Sequence, residues 1–282
     1  MPVPDANADP VDALQVELTK YSGLLVAFSA GVDSAFLLAA AVRTLGADRV
    51  LAVTAVSASL PAAELAYART FADVVGARHH EVRTDEMARE GYRRNATSRC
   101  YFCKAELLDV VSAQLDELAP GARVATGTNA DDLLAGFRPG IRAAAERGAV
   151  TPLADAGLTK AQIRSAARDW GLAVWDKPQA ACLSSRVAYG LEITPARLAR
   201  VEAAEVGVRR ALAASGASCR DLRVRDVGDG ARIEVDGLLA GTEGPWRDAV
   251  IRAVTAVGFT SAWIDPRGFR SGSMNEGLTP TS

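Results

Sequence analysis

The chain has 282 residues, of which 49% are hydrophobic and 23% are charged, and its formal net charge is -2 at pH 7. This length exceeds that of a usual single domain, so we expect two domains. The weak negative charge argues against a basic nucleic-acid surface. Because no stretch resembles a signal peptide or a membrane span, we expect a cytoplasmic protein that binds neither nucleic acid nor membrane.

Strands and helices alternate in the prediction for the first 176 residues, after a start rich in Pro, Asp and Ala that we expect to be mobile to about residue 10. The predicted strands cover residues 24–28, 49–56, 78–82 and 122–126, and the predicted helices cover residues 12–21, 35–42, 61–75, 98–115 and 159–170. Residues 137–140 and 151–153 read as turns. This alternation predicts an α/β fold with a doubly wound parallel sheet, whose ligands lie beyond the carboxyl ends of the strands.

The turn at residues 29–34 is a candidate phosphate loop. It places unpaired backbone N–H groups at a helix N-terminus, a geometry that holds an anion. The alternative is an ordinary strand-to-helix connection capped by Ser34. The lysine and spacing of GxxxxGK[ST] are absent, which argues against a P-loop kinase or GTPase.

A second candidate site follows the strand that ends near residue 126. Gly127 and the acidic pair Asp131 and Asp132 should lie on the same sheet edge as the loop at residues 29–34. We expect a magnesium or ribose role for these carboxylates. The alternative is a solvated loop or a helix cap.

The pattern changes after residue 176. A linker at residues 175–190 is rich in side chains that can take part in binding or catalysis. It is followed by predicted helices at residues 194–214 and 245–257 and predicted strands at residues 222–225, 231–235 and 262–264. We therefore expect two domains, residues 1–176 and 177–282, the second a smaller α+β domain.

The chain has four cysteines, and two of them, Cys100 and Cys103, form a CxxC. Few cysteines with one CxxC pair are typical of a protein in a reducing compartment, where thiols bind metals or act in catalysis more often than they form disulfides. With a third thiolate from Cys182 they suffice for a [4Fe-4S] cluster with one open iron, although four protein thiolates are usual. A redox dithiol is an alternative, as is a zinc site, whose fourth ligand would come from His79 or His80. Cys219 has no motif around it, and we expect it to be a buried apolar residue.

Several motifs together resemble known families. Residues 29–34, Ser-Ala-Gly-Val-Asp-Ser, resemble the SGGxDS pyrophosphate loop of the ATP pyrophosphatases, with Ala30 in place of a glycine. Alanine fits there only at negative φ, which we therefore expect. With residues 99–104, 127–132, 177–190 and 268–272, the chain resembles the LarE family from about residue 14 to residue 278.

The LarE family are ATP-dependent sulfur transferases. They convert the carboxylates of pyridinium-3,5-biscarboxylic acid mononucleotide into thiocarboxylates, for the nickel-pincer nucleotide cofactor of lactate racemase and related enzymes. The resemblance implies ATP, magnesium and a homo-oligomer. The positions that it implies for ATP binding are Ala27, Ser29, Gly31, Asp33, Ser34, Thr54, Gly127 and Asp131.

The resemblance implies one of two roles for Cys182. In the sacrificial form of the family, the equivalent cysteine supplies its own sulfur and becomes dehydroalanine; nearby Arg186 and Lys177 would lower the pKa of such a thiol. In relatives with three cysteines, a cluster held by Cys100, Cys103 and Cys182 is thought to carry an extra sulfide, which a sulfide or sulfur donor must return. The two roles exclude each other.

Arginines in the family motifs are candidates for binding the anionic substrate, because planar guanidinium forks suit carboxylate and phosphate. They are Arg186, Arg223, Arg225 and Arg270. Arg223 and Arg225 should share one strand face, with a solvated face as the alternative. Glu205 and Glu234 match acidic family positions without a defined role.

Other functions are compatible with some of these motifs. A tRNA thiolase or an amidotransferase could share the loop, but the first would need a basic face and the second has no use for these cysteines. A non-catalytic nucleotide or iron–sulfur sensor is a further alternative.

Overall fold

The computed structural model describes residues 10–136, 138–179 and 181–275. The predicted mobile start of the chain lies outside these residues, apart from Pro10. The helices and strands follow in the order α1 (Pro10–Leu18), β1 (Leu24–Ala27), α2 (Val32–Leu45), β2 (Val50–Val56), α3 (Ala62–Val75), β3 (Arg78–Arg83), α4 (Glu90–Arg93), α5 (Arg99–Leu118), β4 (Arg123–Ala125), α6 (Ala130–Leu134), α7 (Pro139–Glu146), α8 (Pro152–Asp155), α9 (Lys160–Asp169), α10 (Pro195–Ala214), β5 (Arg223–Asp226), β6 (Gly230–Glu234), α11 (Gly237–Ala240), α12 (Trp246–Thr255) and β7 (Ser261–Ile264).

The described residues form two compact units. The first comprises the described parts of Met1–Glu86 and Ser98–Ala180, and the second comprises those of Met87–Thr97 and Ala181–Ser282. The division in the linker thus falls after residue 180 rather than after residue 176. The segment Met87–Thr97, which contains α4, belongs to the second unit although it lies within the range predicted for the first domain.

The first unit contains a four-stranded parallel sheet in the order β3-β2-β1-β4. Alternate residues of β1 enter different cores: Leu24 and Val26 pack with Phe36 of α2, whereas Leu25 packs with Leu108 of α5. Helices therefore cover both faces of the sheet, and the predicted doubly wound α/β fold is confirmed.

The order of the strands places a switch point at β1. The chain runs outward from β1 through β2 to β3 and then returns to the other side of β1 with β4. Ligands of doubly wound sheets bind at the carboxyl edge beside such a point. The segments that leave β1 and β4 are the two that sequence analysis selected as candidate sites.

The second unit contains a three-stranded sheet in the order β5-β6-β7, with β5 antiparallel and β7 parallel to β6. Helix α10 packs against α12 and β5. Val201 and Val208 of α10 are buried, as are Val250 and Val254 of α12. These elements form the α+β unit that carries Cys182 and all four candidate arginines.

Two turn predictions are wrong. Pro139 begins α7 and Pro152 begins α8, because proline fits the first turn of a helix, where its missing N–H costs nothing. Phe137, predicted in the first of these turns, lies outside the described residues. Among the helices of the described residues, none has the length and apolar character needed to cross a bilayer.

Candidate active site

The loop between β1 and α2 presents the start of a helix at the carboxyl edge of the sheet. Helix α2 begins directly after Gly31, which supplies no side-chain cap, so the first N–H groups of the helix lack partners within it. Ser34 lies inside α2, and its hydroxyl donates to the carbonyl oxygen of Gly31 at 3.1 Å. Ser34 is therefore not the cap of the helix. This geometry suits an anion.

The backbone of Ala30 is left-handed, and the expectation of a negative φ is wrong. Its φ is 56°, whereas that of Gly31 is -76°. A non-glycine residue in the left-handed region costs about 1–3 kcal/mol. Gly31 has a backbone open to any residue, but a Cβ there would meet only Ser29 Oγ at 3.5 Å. Its missing side chain therefore leaves space in front of the helix.

Gly127 brings the segment after β4 against the start of α2. A Cβ at this position would lie 2.7 Å from the backbone nitrogen of Ser34 and 2.9 Å from its Cα. Only glycine permits so close an approach of two backbones. The two candidate segments are thus in direct contact.

Asp33 is the carboxylate beside the helix start. Its Oδ2 lies 2.8 Å from Lys160 Nζ, and its Oδ1 accepts a hydrogen bond from Asn129 Nδ2 at 3.3 Å. Asp131 accepts the backbone N–H of Lys160 at 2.8 Å, and Asp132 forms a capping box with Asn129. The acidic pair therefore caps helices, as the alternative interpretation held. Sequence analysis did not select Lys160, because no local motif links it to Asp33.

Ala27 and Thr54 are buried in adjacent strands below the loop. Thr54 Oγ1 donates to the carbonyl oxygen of Phe28 and lies 2.9 Å from Nε2 of His79. Since the single hydroxyl proton goes to Phe28, the ring nitrogen of His79 is the donor. Burial lowers the pKa of His79. The Thr54 side chain thus supports the start of the loop.

Glu86 fixes the segment that follows β2 at the same edge. Its buried carboxylate accepts hydrogen bonds from the hydroxyls of Ser57 and Ser59, each at 2.6 Å, and of Thr84 at 3.1 Å. Three hydroxyl donors satisfy the buried charge. Sequence analysis missed this residue, since nothing in the local pattern distinguishes it from a surface glutamate.

Cys100 and Cys103 are the second and fifth residues of α5. Their separation of three residues places them on the same helix face. Cys100 is exposed and Cys103 is half-buried. Burial lowers the pKa of the adjacent Lys104, against the opposing attraction of the Cys103 and Cys100 thiolates. The thiol pair is therefore next to a lysine whose pKa burial lowers.

The predicted cluster and the predicted magnesium fit the described residues differently. Within the described ranges, no three His, Cys, Asp or Glu side chains form a group that could hold a metal ion. Cys100 and Cys103 lie in the first unit and Cys182 lies in the second. Two thiolates alone are too few for a [4Fe-4S] cluster, so the three-cysteine cluster stays a prediction. Magnesium usually takes one or two carboxylates plus substrate phosphates, and Asp33 supplies one such carboxylate.

Cys182 lies in the second unit, directly before a 3-10 helix at Leu183–Arg186. The guanidinium of Arg186 is only 4% exposed and returns to this loop, where it donates to the carbonyl oxygens of Ala181 and, at 3.0 Å, Cys182. It also pairs with both carboxylate oxygens of Glu205, at 3.0 and 3.3 Å. Arg186 thereby fixes the shape of the loop that carries Cys182.

The segment Met87–Thr97 also contacts this loop. The Asn95 side chain is fully buried, and its Nδ2 donates to the carbonyl oxygens of Val187, Ala188 and Leu191 at 2.8–3.3 Å. Tyr92 Oη lies 2.5 Å from the hydroxyl of Ser184. These contacts explain why the segment belongs to the second unit.

Arg223 and Arg225 are buried on β5, so the alternative of a solvated strand face is wrong. Arg225 pairs with the buried Glu234 at 2.8 Å and donates to the carbonyl oxygen of Ser185. Burial, and then repulsion by Arg186, lowers the pKa of Arg223 to about 10, so it remains a cation at neutral pH.

Arg270, the fourth candidate arginine, pairs with Asp265 at 3.4 Å.

Cys219 is half-buried, and its thiol donates to the carbonyl oxygen of Asp221. Burial raises the pKa of this thiol to about 11. A thiol with so high a pKa is unreactive at neutral pH. Its environment is structural.

Lys177, expected to act on Cys182, is engaged within the first unit. Its ammonium group lies 2.7 Å from Glu64 Oε2 and 3.0 Å from the carbonyl oxygen of Ala30.

No protein-family model matches the chain. An uncharacterized protein of Synechocystis sp. is 40% identical over 258 residues, which are 90% of this chain and 92% of that protein. The pyridinium-3,5-bisthiocarboxylic acid mononucleotide synthase of Lactiplantibacillus plantarum is 33% identical over 257 residues, 90% of this chain and 89% of the synthase. An uncharacterized protein of Methanocaldococcus jannaschii is 29% identical over 178 residues, 63% of this chain and 66% of that protein. With this coverage at 33% identity to the synthase, and a parallel-sheet unit with the expected loop, the chain belongs to the LarE family.

Proposed function

We propose that the protein catalyses ATP-dependent insertion of sulfur into a pyridinium carboxylate mononucleotide, by adenylylation followed by thiolation. The observation that carries the proposal is the 33% identity, over 90% of the chain, to a pyridinium-3,5-bisthiocarboxylic acid mononucleotide synthase. The loop at residues 29–34 and the arginines of the second unit support it, because the reaction needs a triphosphate site and an anion site.

In the adenylylation step, a substrate carboxylate oxygen attacks the α-phosphorus of ATP. A bond from oxygen to the α-phosphorus forms, the bond to the bridging oxygen breaks, and pyrophosphate leaves. The uncapped start of α2 and the ammonium of Lys160 are suited to neutralising the departing charge, and Asp33 is suited to holding the magnesium that accompanies the phosphates.

In the thiolation step, a thiolate attacks the activated acyl carbon and AMP leaves with the bonding electrons. If the thiolate is that of Cys182, a thioester joins substrate and protein. A base then removes the α-proton of Cys182, the Cβ–S bond breaks, the thiocarboxylate leaves with the sulfur, and dehydroalanine remains. Each sulfur inserted by this route consumes one protein molecule.

The alternative source of sulfur is a [4Fe-4S] cluster, which when bound would supply an extra sulfide and spare the protein. Because neither unit alone holds three of the predicted thiolate ligands, we derive no step through it. A sulfide or sulfur donor would then be required, and Cys182 would be a ligand. Iron and sulfide analysis of anaerobically purified protein tests this alternative directly.

The arginines of the second unit supply the features that an anionic substrate requires. Arg186, Arg223 and Arg225 influence one another electrostatically and share two carboxylates, those of Glu205 and Glu234. Arg186 and Arg225 both repel Arg223, and a bound phosphate or carboxylate would relieve this repulsion. Arg270 is a weaker candidate, because Asp265 engages it.

The test is anaerobic incubation of the protein with ATP, magnesium and the biscarboxylate mononucleotide. We expect release of AMP and pyrophosphate together with a product in which sulfur replaces a carboxylate oxygen. Cys182→Ser should abolish the thiocarboxylate, whereas the matched variant Cys219→Ser should retain it, since that thiol is half-buried and engaged by Asp221.

The same incubation separates the proposal from its competitors. Loss of hydrogen sulfide from the Cys182 peptide would establish sacrifice, once ordinary thiol oxidation has been excluded by mass. Unchanged mass with bound iron would favour the cluster. Absence of pyrophosphate release would overturn the proposal in favour of a non-catalytic nucleotide or iron–sulfur protein. The family resemblance also leads us to propose a homo-oligomer, which light scattering tests.

A further inference from the structure

Ala30 needs support from outside the loop at residues 29–34. Among the described residues, the non-glycine positions with positive φ are Ala30 and Asn95. Asparagine tolerates the left-handed region because its side chain can hydrogen-bond locally. Alanine has no such compensation, and Ala30 is completely buried. Some other group must therefore stabilise this conformation.

The side chain of Lys177 provides that support. Its ammonium lies 3.0 Å from the Ala30 carbonyl oxygen, 2.7 Å from Glu64 Oε2 and 3.7 Å from the ring centroid of Tyr67. The side chain is only 14% exposed. A charge-assisted hydrogen bond to the carbonyl, an ion pair and a cation–π contact thus fix one ammonium group.

The backbone around Lys177 is also held. The guanidinium of Arg164, on α9, donates to the carbonyl oxygens of Trp175 and, at 3.1 Å, of Lys177 itself. Both ends of the lysine are therefore anchored within the first unit. The contact with Ala30 is therefore a specific interaction, because the lysine side chain is not free to adopt other positions.

The contact determines where an N–H group of the loop points. The carbonyl of Ala30 and the N–H of Gly31 belong to one planar trans peptide, so they point in opposite directions. By holding the carbonyl on one side, Lys177 keeps the Gly31 N–H directed to the other. A flip of this peptide would remove that donor from the start of α2 and place a carbonyl oxygen there, which would repel a phosphate.

We propose that Lys177, oriented by Glu64, is a positioning residue that locks the Ala30–Gly31 peptide and so keeps the loop ready for the triphosphate of ATP. This inference rests on the proposed function, since it takes ATP as the ligand of the loop. It assigns Lys177 to the nucleotide loop rather than to activation of Cys182.

The test is a double-mutant cycle on ATP affinity. Lys177→Met removes the charge and keeps an unbranched side chain. We expect it to weaken binding of ATP, measured by calorimetry with magnesium, about tenfold, as for loss of one charge-assisted hydrogen bond. Ala30→Gly removes the strain. In the Ala30→Gly background, Lys177→Met should therefore weaken binding by less than about threefold.

The controls separate positioning from direct contact. Lys20→Met removes an exposed ammonium that pairs only locally with Glu17, and it should leave ATP affinity unchanged. Glu64→Gln should also weaken ATP binding, and Ala30→Gly should restore the affinity that this variant loses. If Lys177→Met fails to fold, judged by circular dichroism, the cycle with Glu64→Gln provides the test.

Two results would overturn the inference. An equal loss of affinity in both backgrounds would mean that Lys177 contacts the phosphates itself, and no loss in either would mean that the loop needs no lock. Failure of the unmodified protein to bind ATP is a different result. It would remove the proposed function, and this inference with it.

Discussion

The side-chain amide of Asn95 donates a 2.8 Å hydrogen bond to the carbonyl oxygen of Ala188, in the loop that carries Cys182 and Arg186. The two residues are 93 positions apart in the chain. Asn95 precedes α5 and its thiol pair, whereas Ala188 follows Cys182. The bond therefore joins the segment that precedes Cys100 and Cys103 to the loop that carries Cys182.

Substitution of Asn95 should loosen this loop. Asn95→Ala leaves three buried or half-buried carbonyl oxygens without their donor and strains the left-handed backbone, so we expect the free energy of unfolding to fall by about 3 kcal/mol. Asn95→Gly should recover about 1 kcal/mol of that loss, because glycine relieves only the strain. Urea unfolding measures both, and equal destabilisation by the two variants would contradict the role of backbone strain.

The same pair of variants should change the reactivity of Cys182. Both lose the amide, so both should speed alkylation of Cys182 by iodoacetamide under native conditions, read at the peptide by mass spectrometry. The rate for Cys219 provides the internal reference. An unchanged ratio of the two rates in both variants would show that Asn95 does not order the Cys182 loop.

Gly127→Ala should damage the nucleotide loop. The added Cβ would lie 2.7 Å from the backbone nitrogen of Ser34 and must push the start of α2 aside. We expect ATP affinity to fall at least about tenfold, because an anion site depends on the alignment of its N–H donors. Gly237→Ala is the control, since a Cβ there meets nothing within 4 Å. Wild-type affinity in Gly127→Ala would contradict this account.

Asp33→Asn should raise the magnesium concentration needed for ATP binding. The substitution removes the charge that faces Lys160 at 2.8 Å and that we assign to the metal. Asp169→Asn, which alters an exposed surface pair with Arg168, is the matched control and should leave that concentration unchanged. Titration of magnesium at fixed ATP distinguishes the two, and identical curves for both variants would refute the assignment.

Arg223→Met should stabilise the protein and abolish substrate binding. Because burial and Arg186 lower the pKa of Arg223 to about 10, folding disfavours its charged form, and this group adds stability only as pH rises above that value. Removing the charge at pH 7 should raise Tm by about 2–4 °C. The biscarboxylate mononucleotide should no longer raise Tm further.

For comparison, Arg252→Met alters an arginine on α12 outside the buried cluster and should keep the thermal response to substrate. A lowered Tm in Arg223→Met, with the substrate response intact, would show that this arginine is structural and not part of an anion site.

The fold was predictable because apolar periodicity is a local property. The strand that begins at Leu24, the helix after Gly31 and the strand that begins at Arg123 all follow from runs of buried residues. The helix that begins at Pro139 was missed, because its proline and the following glycine form a pattern typical of turns. Proline is also favoured in the first turn of a helix.

Much of the candidate site depends on contacts that no local pattern contains. Lys177 reaches Ala30 across 147 positions, and Lys160 reaches Asp33 across 127. The left-handed φ of Ala30 was therefore predicted with the wrong sign, since the residue itself disfavours it and the compensating group is distant in sequence. The four arginines of the second unit were selected from motifs, but the burial of Arg186, Arg223 and Arg225, and the pairing of the first and last of these with glutamates, required the fold.

The central claim is tested most directly by mass spectrometry of the small-molecule product after one anaerobic turnover. With ATP, magnesium and the biscarboxylate mononucleotide, the account predicts a thiocarboxylate product, formed together with AMP and pyrophosphate and absent when Cys182→Ser replaces the native protein. Unchanged mononucleotide, with no pyrophosphate released by the folded protein, would contradict it.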